Sequence, residues 1–144
     1  MLKEKTIDQL IRETWMSITK LYNEQASKYG GTMSIGYVLL KIDPEVGTPS
    51  TSLAPMLGME ATSLSRTLKN MEEKNLIFRE ANPNDGRSVL IKLTDFGCEM
   101  REKSKETVLK FNEVVANNIN EKELKVFRKV ISKILFMTSE KKIF

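Results

Sequence analysis

The chain has 144 residues, a length that fits a single folded domain. It contains one cysteine and no histidine, which excludes an internal disulfide, catalytic arrangements of the Ser-His-Asp or Cys-His type, and the usual zinc sites built from several Cys or His ligands. We therefore expect neither an enzyme nor a protein with a metal or other cofactor. The net charge of +4 is compatible with nucleic acid but does not by itself indicate it.

The hydropathy pattern gives no sign of a membrane protein. No apolar run approaches the roughly 20 residues needed to span a bilayer. The start of the chain, MLKEKTIDQLIRE, alternates charged and apolar residues, unlike a secretory signal. We expect a cytoplasmic protein with no membrane partner.

Two helices are predicted at the start of the chain. From Ile7 to Tyr22, apolar residues recur at steps of three and four, which predicts a long amphipathic helix that ends at Gly30-Gly31. A second helix is predicted from Ser34, as its N-cap, to Ile42. Asp43-Pro44 ends it, because proline biases the preceding residue away from helical geometry.

A short and a longer helix follow a loop. The segment EVGTPSTS is rich in turn residues, and its last residues can cap a helix. Because Pro55 is tolerated only near a helix start, this helix is predicted to begin at or just before Ser52 and to end at Gly58. The next helix is predicted from Ala61 to Lys74, with its apolar face formed by Leu64, Leu68 and Met71.

A hairpin and two further helices complete the prediction. Strands at 76–80 and 89–93 flank the turn formers Asn82 to Gly86, and Asp-Gly favours a tight hairpin turn. Thr94 then caps a long helix that reaches about Asn117. Asn120 and Glu123 resemble a capping pair for a last helix, which reaches about Met137.

The order of helix, tight turn, helix and hairpin is typical of a winged helix-turn-helix. Ala54 allows the second helix to approach closely, and Gly58 permits the sharp turn between the two helices. The second helix can lie in the major groove of DNA and present its N-terminal polar side chains to base edges and phosphates. The candidate DNA-binding residues on it are Thr62, Ser63, Ser65, Arg66 and Lys69.

The hairpin tip supplies a second candidate contact. Arg87 lies beside the Asp-Gly pair, where an arginine can enter the minor groove. Asp85, two residues away, can hold the arginine side chain in a usable orientation. Residues 48–94 carry six basic and five acidic side chains, so the segment assigned to DNA is nearly neutral. The arrangement of elements therefore supports DNA binding better than the charge does.

The run from Leu53 through Gly97 resembles the MarR (multiple antibiotic resistance regulator) family of winged-helix regulators. The matching pieces are LAPMLGM, SLSRTLKNMEEKNLI and NPNDGRSVLIKLTDFG. Asp85 and Arg87 fall at the family's wing motif, and Leu93-Thr94 with Gly97 falls at its wing-to-helix junction. With the long flanking helices, the resemblance covers nearly the whole chain.

The resemblance implies a mainly α fold in which a winged helix-turn-helix carries a small β-hairpin, and a homodimer built from terminal helices. We expect a helical dimerisation region at 1–30 and 95–144 and a DNA-binding lobe at 31–94. The resemblance also implies repression from a palindromic operator on double-stranded DNA. Ser63, Ser65 and Arg66 match the family's recognition-helix positions, and Arg87 its wing-tip arginine.

A small, often aromatic effector that releases DNA is also implied by the resemblance, and we assign Trp15, Tyr22 and Tyr37 as candidate pocket residues.

Three positions depart from the family pattern: Ala61 replaces a common basic residue, Asn75 replaces a common glycine, and Pro55 is unusual in its helix. Cys98 is interpreted as a partly buried cysteine without a redox role. The alternative function is a winged-helix module that binds another protein and not DNA.

Overall fold

The computed structural model describes residues 4–144. The chain divides into two compact units, residues 1–107 and 108–144. Among the described residues the secondary structure is mostly helical with a small antiparallel sheet, which confirms the predicted fold class. The elements are α1 (Ile7–Ser27), α2 (Met33–Lys41), β1 (Thr48–Pro49), α3 (Ser50–Leu57), α4 (Ala61–Glu73), β2 (Ile77–Ala81), β3 (Val89–Leu93), α5 (Asp95–Asn118) and α6 (Glu121–Ser139).

The first two helices are joined by a turn in which Gly30 adopts the left-handed conformation, with φ of 74°. The backbone N–H of Gly31 donates to the carbonyl of Ala26 at 3.0 Å, which closes the end of α1. The predicted N-cap of α2, Ser34, is wrong. Thr32 has the extended backbone that a cap requires, and its side chain accepts a hydrogen bond from the N–H of Ile35 at 3.2 Å.

The core of the first unit lies beneath α2, α3, α4 and the sheet. Because α4 is amphipathic, its predicted apolar face is buried and its other faces are left to solvent. The core residues are Ile35, Val38, Leu39, Ile42, Leu53, Leu64, Leu68, Met71, Leu76, Ile77 and Ile91.

Helix α3 begins at Ser50, earlier than predicted, so Pro55 is its sixth residue. A proline there removes one helical hydrogen bond, the one to the carbonyl of Thr51. Thr51 is exposed, so water can satisfy that carbonyl and the helix tolerates the proline. Gly58 ends α3 in the left-handed conformation, with φ of 62°, as the tight turn requires.

The sheet has three strands in the order β1-β3-β2, all antiparallel. The two strands of the predicted hairpin are present, but β1 was not predicted. Asp85-Gly86 lies in a turn, closed by the N–H of Ser88 donating to the carbonyl of Asp85 at 3.3 Å, but it is not the tight two-residue turn of a hairpin. The last residue pair between β2 and β3 is Ala81 with Val89, which leaves a seven-residue loop. Gly86 does not have the positive φ that a two-residue hairpin turn needs.

Thr94, at the start of α5, is hydrogen-bonded to the segment that follows α4. Its hydroxyl donates to the carbonyl of Asn75 at 2.7 Å and accepts from the N–H of Gly97 at 2.9 Å. Its backbone N–H donates to the carbonyl of Leu76 at 3.1 Å. Asn75 takes the left-handed conformation, with φ of 59°, which asparagine adopts more readily than most residues other than glycine.

The second unit contains the C-terminal part of α5 and all of α6. The side chain of Asn120 caps α6 by accepting from the N–H of Lys122 at 2.7 Å, and the helix extends to Ser139, slightly beyond its predicted end. None of the helices within residues 4–144 is long and apolar enough to cross a membrane.

Candidate functional site

The five candidate DNA-binding residues of α4 are all exposed. Helical periodicity places Thr62, Arg66 and Lys69 on the side of α4 opposite the buried leucines, with Ser63 and Ser65 at its two margins. The side that packs against the core and the side that carries these polar groups are therefore separate. A ligand as large as double-stranded DNA can therefore contact the polar side without disturbing the core.

The N-terminus of α4 has no side-chain cap. Glu60 occupies the N-cap position but makes no side-chain hydrogen bond to the helix, and the first turn contains no acidic residue. The backbone N–H groups of a first helical turn and the helix dipole both favour negative charge. Thr62 and Ser63 lie in this turn, so hydroxyls and amides face the same region.

The wing loop at 82–88 is ordered by its own side chains. Asn82 accepts from the N–H of Asn84 at 3.0 Å and donates through Nδ2 to the hydroxyl of Ser88 at 3.0 Å. Asp85 accepts from the backbone N–H of Arg87 at 2.9 Å. Together with the backbone bonds from Asp85 to Asn82 and from Ser88 to Asp85, both at 3.3 Å, they build the loop from two successive turns.

The Arg87 side chain projects from this loop into solvent, with 97% of its surface exposed. Its Nε lies 3.9 Å from Oδ1 of Asp85, so the carboxylate is close enough to orient the guanidinium. At such exposure this pair is weak, and the arginine remains available to another anion. The predicted pairing of Asp85 with Arg87 is present, and the role of both residues on DNA stays a prediction.

Sequence reasoning missed the ion pair that connects α4 to the wing. Arg79 Nε on β2 lies 3.0 Å from Glu72 Oε1 on α4. On the outer side of the hairpin, Lys92 Nζ lies 2.7 Å from Glu80 Oε2. No spacing rule links a helix residue to a strand residue after a turn, so the pair of Arg79 with Glu72 had no signal in the sequence. The pair of Lys92 with Glu80 joins the two strands of the hairpin and depends on their register.

The three residues assigned to an effector pocket form one aromatic cluster within the first unit. The ring of Tyr37 stacks on that of Trp15, with centroids 6.5 Å apart and planes 8° apart, and the ring of Tyr22 meets it edge-on at the same distance. Burial raises the pKa of both tyrosines above the ordinary value, so their hydroxyls stay protonated at neutral pH. Their role in ligand binding stays a prediction.

A buried hydroxyl lies on the same helix as this cluster. Thr19 Oγ1 is inaccessible to solvent and has no hydrogen-bond partner among the described residues. Thr19 is one helical turn from both Trp15 and Tyr22. A buried polar group without a partner costs free energy, so a polar ligand atom that reached it would be stabilised.

Two helices expose apolar side chains and bury none. In the first unit, α1 has no buried residue, and its exposed apolar side chains include those of Ile7, Leu10, Ile11, Trp15 and Leu21. In the second unit, α6 also has no buried residue, and its exposed apolar side chains include those of Phe127, Val130 and Leu135. Exposed apolar stripes of this length are typical of protein interfaces.

The chain was then compared with known proteins. Residues 32–89 match the MarR family. A curated relative, the uncharacterized HTH-type transcriptional regulator YdgJ of Bacillus subtilis (strain 168), is 27% identical over 84 residues, which cover 58% of this chain. The matched part spans only 51% of that relative's length.

Solved structures match nearly the whole chain. The S. aureus MepR–DNA complex superimposes with a TM-score of 0.85 at 22% identity and covers 92% of this chain and 98% of that one. A mutant of MarR from E. coli, complexed with operator DNA, has a TM-score of 0.79 at 26% identity and covers 90% and 93%. The family match, the relative and these structures confirm the predicted resemblance: residues 32–89 are similar to the MarR family of transcriptional regulators, and the described residues share the winged helix-turn-helix fold of MarR and MepR.

Proposed function

We propose that the protein is a sequence-specific DNA-binding transcriptional regulator that works as a homodimeric repressor. The observation that carries this proposal is the polar, exposed side of α4, which presents Ser63, Ser65 and Arg66 beside an uncapped N-terminus. Arg87 adds a projecting cation on the same unit. We also propose a cytoplasmic location, since the proposed function is exerted on DNA.

In the proposed complex, α4 lies in the major groove and the wing reaches the adjacent minor groove. Arg66 can hydrogen-bond two guanine acceptors at once, which reads sequence, whereas Lys69 and the hydroxyls contact phosphates. Arg87 enters the minor groove, where a narrow A·T-rich segment concentrates negative potential. Two subunits place two α4 helices on half-sites about 10–10.5 base pairs apart.

The test is binding of the purified protein to labelled DNA from upstream of its own gene, at two salt concentrations and against scrambled competitor DNA. A Kd of roughly 10⁻⁸ M or tighter that survives the competitor and weakens with salt supports the proposal. Equal weak binding to both DNAs contradicts sequence recognition at that site. Absence of binding at low salt favours the alternative, a winged-helix module that binds a protein through the nearly neutral lobe.

The homodimer is supported by the uncovered apolar stripes on α1 and α6. We propose that residues 1–30 and 95–144 form the dimerisation region and residues 31–94 the DNA-binding lobe. A twofold interface makes each stripe residue contribute twice. Burying one leucine side chain stabilises by about 2 kcal/mol, so two copies of one leucine contribute about 4 kcal/mol.

Leu10→Glu is expected to convert the dimer to a monomer of 16.5 kDa. Leu10 is half exposed in the isolated chain, so the substitution leaves the subunit core intact while placing two carboxylates in the interface. The dimerisation constant should weaken by about a thousandfold or more. Light scattering across a range of concentrations measures it. Gln9→Glu adds the same charge on the opposite side of α1 and should remain dimeric. If the wild-type protein is a monomer at about 10 μM, the proposal is contradicted, because this concentration lies well above the dimer dissociation constants that are typical of regulators.

The effector is proposed to be a small aromatic molecule that binds at Trp15, Tyr22 and Tyr37. A ring can stack on the cluster, and an oxygen on it can bond the tyrosine hydroxyls or Thr19 Oγ1. Binding that favours a half-site spacing different from that of the operator would release DNA by shifting the population of conformers.

Titration with benzoate or phenol is expected to change the tryptophan fluorescence saturably, because Trp15 is the only tryptophan in the chain. The Tyr37→Leu variant should weaken binding by about tenfold through loss of one stacked ring. Tyr29→Leu removes a ring that lies outside the cluster, over which Lys103 Nζ sits at 4.7 Å, and should bind as the wild type does. A response that stays linear in ligand, or is equal in both variants, contradicts this site.

A further inference from the structure

The positive charge of the chain is concentrated at its C-terminal end. Residues 121–144 carry seven basic and three acidic side chains, an excess of four that equals the net charge of the whole chain. The first 120 residues are therefore neutral by formal count, including the lobe assigned to DNA. Phosphate binding by that lobe does not account for a basic last helix.

Four lysines of this segment form a row along α6, which we call the lysine ladder. Lys122, Lys125, Lys129 and Lys133 follow one another at steps of three and four residues, so they lie on one face of the helix. All four are exposed. Within residues 4–144 none of them forms an ion pair. Like charges at this spacing repel one another and destabilise the helix, so the ladder is uncompensated in the isolated chain.

The ladder continues into an apolar end. Phe136 and Met137 lie one turn beyond Lys133, and together with Lys129, Ser132 and Lys133 they line a shallow groove. The Phe136 ring, which has Lys142 Nζ 5.6 Å from its centroid, is 55% exposed, and Met137 is 40% exposed. One face of α6 thus offers cations along most of its length and an apolar contact at its C-terminal end.

This face is separate from Phe127 and Leu135 of the stripe assigned to the homodimer, whereas Val130 of that stripe lies next to Lys133 around the helix. Helical periodicity places the ladder opposite Leu124, Phe127 and Ile131 on α6. A partner on the ladder and a partner on the apolar stripe can therefore be bound by the same helix.

We propose that the lysine ladder is a docking face for an acidic amphipathic helix of another protein. Carboxylates at matching steps of three and four residues would face the four lysines, and an apolar side chain would cover Phe136 and Met137. A symmetric contact of the ladder with the same ladder in a second copy does not fit, because two identical rows of lysine would oppose each other. A DNA backbone offers no apolar group for the groove, and a membrane needs a continuous apolar face along the helix.

The test uses the full-length protein and a fluorescein-labelled, alanine-rich helical peptide with glutamates at steps of three and four residues and two leucines at one end. Fluorescence anisotropy should show saturable binding that weakens with salt. Lys125→Glu combined with Lys129→Glu should raise the Kd by about tenfold or more, since two attractions become repulsions. Lys20→Glu combined with Lys105→Glu changes the net charge equally elsewhere and should alter the Kd less than about twofold.

Unchanged circular dichroism and DNA affinity in both double variants show that the fold is retained. A scrambled peptide of the same composition that binds equally well overturns the proposal, as does an equal loss in the control pair. The same variants are measured with vesicles rich in phosphatidylserine and with non-specific duplex DNA. If the ladder variant loses one of these while the peptide does not bind, the face serves that anionic surface and the proposed helix partner is wrong.

Discussion

Gly97→Ala should lower the free energy of unfolding by about 3 kcal/mol, near the upper end of what one added methyl group costs. A Cβ atom at this position would lie 2.0 Å from the carbonyl oxygen of Leu76 and 3.0 Å from its carbonyl carbon. The obstacle is backbone, not the end of a flexible side chain. That carbonyl is also held in place by the N–H of Thr94, so the neighbour cannot yield without loss of the junction between α4 and α5.

The matched control for this variant is Gly86→Ala. Gly86 lies in the exposed wing loop, a Cβ there meets no atom within 4 Å, and the backbone is not left-handed. Chemical denaturation of both variants at one protein concentration measures the difference. Gly86→Ala should unfold as the wild type does. A Gly97→Ala protein as stable as Gly86→Ala would contradict the close packing of α5 on Leu76.

Arg66→Ala should weaken binding to the operator by about 10- to 100-fold, which corresponds to the roughly 1–3 kcal/mol that a bidentate contact to guanine contributes. The loss should fall on one base position in each half-site. Once that arginine is removed, operators that differ only at this position should bind with nearly equal affinity. Competition assays with single-base operator variants measure the effect.

Lys69→Ala is the comparison for Arg66→Ala, because both residues are exposed on the same side of α4. A phosphate contact carries no sequence information, so Lys69→Ala should weaken all sequences alike and reduce the salt dependence. Equal losses on all sequences for Arg66→Ala would remove its assigned role in base recognition.

Periodicity predicted the helices and the core of the first unit well, because burial follows the spacing of apolar residues. Leu64, Leu68 and Met71 were predicted as one face of a helix and are all buried. Strand β1 could not be found in this way, since two residues are too few to alternate and one of them is Pro49. Its pairing with Ile91 and Leu90 depends on the fold of the whole unit.

Local choices between similar residues were harder to predict. Thr32 and Ser34 are both good N-caps, and only the backbone conformation decides that Thr32 is the one used. Asp-Gly favours a tight turn, yet the bonds from Asn82 and Asp85 stabilise a wider loop. In each case several side chains compete for the same backbone groups, and their balance is not contained in one short motif.

The candidate site was partly predictable for the same reasons. The exposure of Ser63, Ser65 and Arg66 follows from the amphipathic pattern of α4. The approach of Trp15 to Tyr37 does not, because it depends on how α1 packs against α2. The pair of Arg79 with Glu72 likewise needs the turn between α4 and β2 to be known.

The near neutrality of the lobe has a consequence for how the protein finds its operator. Weak, sequence-independent attachment to DNA comes from neutralised phosphates, and sliding along the duplex depends on it. A lobe with no excess positive charge over residues 31–94 is expected to spend little time on the many competing genomic sites. The protein then searches for its operator mainly through short encounters from solution. We expect a modest association rate with the operator and a high ratio of operator binding to non-specific binding on the chromosome.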